Sequence, residues 1–446
     1  MSAGVPDFTP PPDVRHIADL LEENGFEAWA VGGALRDSLL GAGQPDWDLA
    51  TSARPAQVRA LFRRTVPIGI EHGTVGVLLP GGPLIEVTTF RLDVETDGRH
   101  AVVEFADDIE DDLARRDFTM NAMAWRPATG EFRDPFGGQA DLEAGVLRAV
   151  GDPAARFAED RLRVLRALRF AGCLRLEIEP GTWRALRSAA PDLGRLSAER
   201  VREELMKVMV TDRPSAALRG YAEAGALAAW YPEMDRASRD PGWEVRLAAV
   251  DALPASRLLL RVAEWLLALG TDEDSRVRES EETLARLKFS NADSARVTHL
   301  VRHSPPLVSV TDSSASLRAW LAEVGERSAR DLFRLQFAMA RARGAGETER
   351  MLVHTWRRIH DELLAGPPLR LSELAVAGAD LLELGVAEGP AIGLLLDELH
   401  AEVLEDPGLN ERAALLARAR ELIRIGGLGA PGDAPDGAPA GPPGEA

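Results

Sequence analysis

The feature that most constrains this chain's fold is a change of apolar period partway along it. Between about residues 26 and 135 the apolar residues come in short alternating runs, EAWAVGG, GTVGVLL, LIEVTTF and AVVEF, separated by Gly, Pro and Asp turns. Alternation puts every second side chain on one face, as a half-buried strand requires. Stretches such as RPAQVRALFRR carry helical spacing between them. From about residue 140 the spacing becomes three to four in DRLRVLRALRFAGCL, ERVREELMKVM, ASLRAWLAEV and ERAALLARARELI, and strand-like alternation stops. The chain reads as α+β: a mixed α/β N-terminal part, then an all-helical remainder.

Pro- or Gly-rich breaks near 211–214, 304–306 and 365–368 divide the helical part, and no fixed-period repeat is evident. Residues 1–12 hold four prolines with little pattern, and 426–446 are almost entirely Gly, Ala, Pro and Asp. Both ends are too poor in apolar bulk to repay ordering and are predicted to be disordered. With 446 residues, the chain has room for about two to four domains. Its one cysteine, Cys173, rules out a disulfide framework and fits a reducing compartment, with the cytoplasm expected. No run approaches the ~20 apolar residues of a membrane helix, and no secretory signal pattern opens the chain.

Seventy-one acidic against 52 basic residues give a net charge of −19, so a polyanionic partner would require a locally basic surface. Only Lys207 and Lys288 are lysines, and neither stands in a G-x-x-x-x-G-K-[ST] phosphate loop. Phosphate chemistry here must use guanidinium groups, backbone amides and metal ions.

The stretch AWAVGGALRDSLLGAGQPDWDLATS reads as a strand, a glycine pair, one or two helical turns, a loop, and a strand with Asp46 and Asp48. Side chains two apart on a strand share a face, and two carboxylates there repel unless a cation lies between them. Hard oxygen ligands at this spacing suit Mg²⁺ with bound phosphates, although D-x-D alone is common in turns and caps. Gly32 and Gly33 let backbone approach a phosphate, with Arg36 one turn into the helix. Glu86 and Thr88 share a strand face in LIEVTTFR, so Glu86 is either a third catalytic carboxylate or a solvated strand residue.

In DLARRDFTMNAMAW, Asp117 and Asn121 share a face if the segment is helical; Arg116 could meet a triphosphate and Asp117 a ribose hydroxyl. The alternative is a capped surface helix with exposed ion pairs. The preceding DDIEDD run reads as dipole partners and solvated charges. RFAEDRLRVLRALRF, read as one helix, sets Asp160 and Arg163 one turn apart, continues the stripe with Arg166 and Arg169, and anchors on Leu162, Leu165 and Leu168. A carboxylate beside a guanidinium can cover a nucleobase edge; a plain exposed salt bridge is the alternative. In SAERVREELMKVM, Glu199, Arg202 and Glu203 have the spacing of supporting intrahelical pairs. The polar stretch 92–104, with DVETDGRH, is predicted to be a mobile loop.

These segments resemble, in order and spacing, the class II tRNA nucleotidyltransferases, the bacterial CCA-adding enzymes, which share a catalytic head with bacterial poly(A) polymerases. The matching strings are VGGALRD, DWDLATS, HGTVGVL, EVTTFR, RRDFTMNAMA, DPFGG, EDRLRVLRALRF and AERVREEL, with a further likeness in LAVAGADLLELGVAEGPAIGLLLDEL and LNERAALLARA. The resemblance implies a nucleotidyltransferase head (13–140, a small sheet with flanking helices), a helical neck for nucleobase recognition (141–212), a body (213–365) and a tRNA-binding tail (366–425). It implies that Asp46 and Asp48 bind the metals and that Gly33, Arg36 and Arg116 contact the nucleotide. Asp160 and Arg163 would be the protein template that reads C or A, with Arg166 and Arg169 nearby and Glu199 and Arg202 bracing the recognition helix. The implied activity is addition of C, C and A to tRNA from CTP and ATP, without a nucleic-acid template, by two-metal in-line transfer. The runner-up is a poly(A) polymerase or an A-adding enzyme, and a remote alternative is a non-catalytic RNA-binding protein on the same fold. No membrane association and no obligate protein partner is implied.

Overall fold

A computed structural model of the chain describes residues 8–41, 46–70, 73–96, 101–304 and 313–426. It divides into two compact units at Arg296/Val297.

The first unit opens with helix α1 (Pro12–Glu23), strand β1 (Ala28–Val31), α2 (Gly33–Leu39), β2 (Asp48–Thr51), α3 (Pro55–Leu61), β3 (Thr65–Pro67), β4 (Thr74–Leu78) and β5 (Leu84–Thr89). A hairpin of β6 (Arg91–Thr96) and β7 (Ala101–Phe105), α4 (Ile109–Ala114), β8 (Ala124–Trp125) and β9 (Phe132–Arg133) complete the α/β part. Seven strands form one sheet in the order β3-β4-β5-β2-β1-β8-β9. The β2–β5 pairing is parallel and its neighbours are antiparallel. Alternation along β1 sends Ala28 and Ala30 into the core with Val14, Ile17, Leu21 and Val58 from α1 and α3, and Trp29 and Val31 into a second core with Ile109 and Leu113 from α4. The sheet is therefore covered on both faces, and the candidate site lies where β1 ends and β2 begins.

Helices take over as the spacing predicts. They are α5 (Gly138–Glu143), α6 (Pro153–Glu159), α7 (Leu162–Leu174), α8 (Pro180–Ala189), α9 (Ala198–Met209) and α10 (Pro214–Glu223), with β10 (Val146–Leu147) and β11 (Glu177–Ile178) as a short parallel pair. Next come α11 (Leu227–Trp230), α12 (Pro232–Ala237), α13 (Trp243–Ala252), α14 (Leu258–Leu266), α15 (Glu273–Arg286) and α16 (Asn291–Arg302). Gly172 lets α7 lie against α10, because a Cβ there would run into the Ala217 backbone. Buried Arg261 donates to the carbonyls of Leu253, Met209 and Thr211, so one guanidinium closes the C-terminal ends of α9 and α13.

The second unit contains α17 (Ser314–Val324), α18 (Glu326–Ala342), α19 (Gly346–Ala365), α20 (Gly378–Glu383), α21 (Pro390–Glu405) and α22 (Arg412–Gly426). Leu381, Leu399, Val403, Leu415 and Ala419 form the core of its last three helices. Arg318 caps α21 through the carbonyls of Leu404 and Glu405 and pairs with Glu362 at 2.8 Å.

Two expectations change. Order begins earlier than the proline-rich start predicts: Phe8 is buried against Trp125 and Phe132, an aromatic anchor that pattern alone does not reveal, and Pro12 opens α1. Residues 1–7 and 427–446 lie outside the described residues. The 92–104 stretch is not a loop throughout: β6 and β7 pair as an antiparallel hairpin with an irregularity between Asp93 and Glu95, while 97–100 lie outside the described residues.

Candidate active site

The carboxylates are set by strand register. Leu49 pairs in parallel with Val87, so Asp48 and Glu86, one residue earlier on each strand, stand side by side on the same face. Thr74 and Thr88 continue that face with their hydroxyls 3.0 Å apart. Asp46 precedes the strand and is exposed, separated from half-buried Asp48 by buried Trp47. Burial, then the charges of Glu86 and Asp46, push the Asp48 carboxyl up to about 6 against the relief from Arg116. Among the described residues no cluster of three His, Cys, Asp or Glu side chains forms a metal cage. An adjacent pair with a third carboxylate nearby leaves coordination positions to phosphate oxygens and water, which fits Mg²⁺.

Beside the carboxylates the chain turns from β1 into α2 through Gly32, at φ 70°. A Cβ there would meet the Arg116 guanidinium at 2.8 Å, so only glycine lets this turn lie under it. Arg116 donates to Asp112 (3.0 Å) and to the Asn121 carbonyl (3.3 Å). Asp112 is 2% exposed, so this member of DDIEDD is a buried partner and not a solvated charge. Arg36 donates to Asn121 Oδ1 (2.8 Å), whose Nδ2 donates to Asp117 Oδ1 (3.0 Å); Arg166 donates to Asp117 Oδ2. Asp117 and Asn121 thus meet as the spacing suggests, but through a 3₁₀ turn at Thr119–Asn121, not an α-helix. Burial works against the Asp117 charge, but the charge of Arg166, hydrogen bonds from Asn121 and Arg166, and the charge of Arg163 outweigh it and hold the carboxyl below its usual range. Phe170, not singled out by its sequence, lies under three guanidinium groups, with Arg169, Arg36 and Arg166 at 4.2, 5.1 and 5.3 Å from its centroid.

The segment around Asp160 corrects the single-helix reading. Helix α6 ends at Glu159, and Asp160 is extended (φ −147°, ψ 108°) before α7 begins. Its Oδ1 accepts from the Leu162 amide (3.0 Å) and its Oδ2 from Arg200 (2.7 Å), while Arg163 stands in the first turn of α7. Arg163 donates to Glu159 (2.6 Å), the Arg156 carbonyl (3.1 Å) and the Arg115 carbonyl (2.9 Å). Arg169 pairs with buried Glu204 at 2.7 Å. Glu199 and Arg202 do not reach α7: Glu199 accepts from Lys288 at 2.7 Å, and Arg202 donates to the Lys288 carbonyl and lies over Phe289. The braces on α7 are Arg200 and Glu204 of the same helix. Asp112 and Glu159 were findable from their i,i+4 spacing to Arg116 and Arg163; Arg200 and Glu204 carry no local signal.

All these groups meet around one cavity of about 690 Å³ lined by Gly32, Gly33, Arg36, Asp48, Glu86, Arg116, Asp117, Asn121, Asp160, Arg163, Arg166 and Arg169, with Arg91, Arg115, Phe170, Arg200 and Lys207 among the others. Asp46, Glu199 and Arg202 are not in the lining. Nine cationic side chains face four carboxylates there, so an acidic chain presents a basic pocket. Its size suits a nucleotide.

Three family models match the chain: the poly A polymerase head domain over residues 28–148, the "Probable RNA and SrmB- binding site of polymerase A" over 175–238, and tRNA nucleotidyltransferase domain 2 over 265–419. The CCA-adding enzyme of Levilactobacillus brevis is 36% identical over 406 residues, covering 90% of this chain and 96% of that enzyme. The chain belongs to the CCA-adding enzyme family. The CCA-adding enzyme of Geobacillus thermodenitrificans is 35% identical over 91% of this chain and 95% of its own length. A crystal structure of the Bacillus stearothermophilus CCA-adding enzyme in complex with CTP superposes with a TM-score of 0.78 at 30% identity, covering 94% of this chain and 99% of that one. Family membership thus makes the chain a tRNA nucleotidyltransferase.

Proposed function

We propose that this chain adds C, C and A to the 3′ ends of tRNA from CTP and ATP, selecting each base with protein side chains and no nucleic-acid template. The observation that carries the reading is the shared cavity: Asp48 and Glu86 line the same space as Asp160, Arg163 and the arginines. The CTP complex of the B. stearothermophilus relative supports the nucleotide class.

In this reading Arg36 and Arg116 receive the triphosphate, and the Gly32 turn keeps the backbone out of its way. The tRNA 3′ hydroxyl attacks the α-phosphorus in line; the new P–O bond forms, the bond to the β-phosphate bridge breaks, pyrophosphate leaves and the hydroxyl proton passes to water. Asp46 and Asp48, with Glu86 beside them, would hold Mg²⁺, which when bound supplies charge neutralisation for the phosphates and a more acidic hydroxyl. Asp160 accepts from the amino group common to cytosine and adenine, and Arg163 donates to the neighbouring ring nitrogen. The proposed division of labour is a head over 13–140, a neck over 141–212, a body over 213–365 and a tRNA-binding tail over 366–425, acting in the cytoplasm.

Label incorporation tests the whole reading. CTP and ATP, alone and together, are supplied to tRNA transcripts ending before the tail, after C and after CC. Full CCA addition is expected. Repeated A addition to any RNA would favour a poly(A) polymerase, and growth only on the CC-ended transcript an A-adding enzyme.

A further inference from the structure

We infer that Phe170 is a positioning residue for triphosphate binding, its ring a common seat that holds Arg36, Arg166 and Arg169 together in the pocket. This rests on the reading that the guanidinium groups of the pocket receive a triphosphate.

Cations gathered around one point repel one another, so a pocket built from them needs something to hold them in place before a polyanion arrives. A carboxylate in the middle would hold the arginines and also repel the phosphates. An aromatic ring has no net charge but a negative face, and attracts cations without opposing an incoming anion. Arg169, Arg36 and Arg166 place their guanidinium carbons 4.2, 5.1 and 5.3 Å from the Phe170 centroid. These contacts are largely out of water: the ring is 6% exposed, and the side chains of Arg36 and Arg169 are 12% and 14% exposed. Desolvation is the condition under which cation–π attraction is strongest.

The other partners of the three arginines differ from one to the next. Arg36 donates to Asn121 and pairs with Asp37, Arg166 pairs with Asp117, and Arg169 pairs with Glu204. Of those carboxylates only Asp117 lines the cavity, so most of the compensating negative charge lies behind the arginines and not in front of them. The ring is what they share. It also joins two parts of the chain, since Arg36 stands on α2 just after the glycine turn, whereas Arg166, Arg169 and Phe170 belong to α7. Buried Phe118 packs against it at 5.9 Å and 82°, which fixes the plane on which the guanidinium groups rest.

The experiment replaces Phe170 in the full-length protein by mono-, tri- and pentafluorophenylalanine, which drain the negative face stepwise at nearly constant shape, and separately by leucine. KM and kcat for CTP and ATP are measured on tRNA transcripts, with Tm and the calorimetric Kd of inorganic tripolyphosphate in Mg²⁺ as a probe that has no base. Both KM values and the tripolyphosphate Kd are expected to climb with each fluorination, by about tenfold across the series, while kcat and Tm move little. Phe170→Leu should weaken binding at least as far; should it not fold, the fluorinated series decides alone. The same fluorination at Phe289, which carries Arg202 away from the cavity lining, should leave all three constants unchanged. Affinities that ignore the fluorination would reduce the ring to packing and overturn the inference. A KM that rises for one base only, with tripolyphosphate unaffected, would overturn it too. A wild-type protein that incorporates neither C nor A would instead overturn the function proposed above, and the tripolyphosphate affinities would still decide the role of the ring.

Discussion

Arg166 approaches Asp117 to 2.6 Å and donates to Oδ2, while Asn121 and the Phe118 amide donate to Oδ1. All of Asp117's acceptor capacity is thus spent inside the protein, linking α7 to the turn below Arg36. Its side chain is 8% exposed and that of Arg166 31%, so Asp117→Asn leaves a partly desolvated cation without the carboxylate it pairs with. We expect a loss of about 2 kcal/mol in urea unfolding, below the full cost of a wholly buried pair because Arg166 keeps some water. The folded-state carboxyl titrates below its ordinary value of 3.8, so the contribution is complete above about 3.8 and fades as pH falls through the lower folded value. The difference between wild type and variant should be level from about pH 5 to about pH 8 and shrink below about pH 4; a difference that grew in acid would contradict the pairing.

Asp48 behaves in the opposite sense. Its folded carboxyl titrates near 6 against 3.8 in the open chain, so ionisation works against folding, starting above about 3.8 and reaching its full extent beyond about 6. In chelator, Asp48→Asn should melt higher than wild type at about pH 8 and at the same temperature at about pH 4. Adding Mg²⁺ should raise the wild-type Tm and move the variant less. Nucleotide addition should fall at least about a hundredfold in Asp48→Asn, and likewise in Asp46→Ala. Equal melting of wild type and Asp48→Asn at both pH values, or turnover near wild type, would remove Asp48 from the metal site.

What could be read from the chain was whatever lies within a few residues. The glycine turn, the strand position of Asp48 and the Asp117–Asn121 contact follow from local spacing, and the α/β-to-helical transition follows from period alone; Asp46, expected on the same strand face, instead precedes β2 and lies outside the cavity lining. The break at Asp160 escaped because RFAEDRLRVLRALRF keeps its helical period through a residue that is neither Gly nor Pro, and an aspartate that caps a second helix looks like one that pairs within the first. Arg200 and Glu204 escaped because their partners lie 40 and 35 residues away, and only packing of α7 against α9 brings them together. The same packing turns Glu199 and Arg202 toward Lys288.

Arg261 offers a test of the helical part that leaves the pocket untouched. It is 2% exposed and its hydrogen bonds run to three backbone carbonyls, Leu253, Met209 and Thr211. Burial pulls its pKa below the usual arginine value, against the charges of Asp251 and Asp212. Arg261→Leu strands those carbonyls at the ends of α9 and α13, and a loss of about 3 kcal/mol or more is expected. Thermal melting with a parallel CTP-binding measurement distinguishes the outcomes: a lower Tm with unchanged binding below the transition supports the role, and an unchanged Tm refutes it.

The last expectation concerns how four nucleotides become two. Cytosine and adenine each offer an amino donor beside a ring-nitrogen acceptor, and Asp160 and Arg163 line the cavity as acceptor and donor. Uracil and guanine place a carbonyl where that amino group should be, and a carboxylate facing it costs about 1–3 kcal/mol, a factor of about ten or more in selection. Arg163 meanwhile donates to Glu159 at 2.6 Å, so reading a base involves exchanging or sharing that partner. Replacing both Asp160 and Arg163 with alanine should therefore slow addition and also flatten the preference among CTP, ATP, UTP and GTP. Arg36→Ala or Arg116→Ala should weaken all four alike, since a guanidinium on a triphosphate meets no base. Single-nucleotide addition measured with each triphosphate in turn separates these patterns. A double variant that slows but keeps the full preference would place base recognition on other side chains of the pocket.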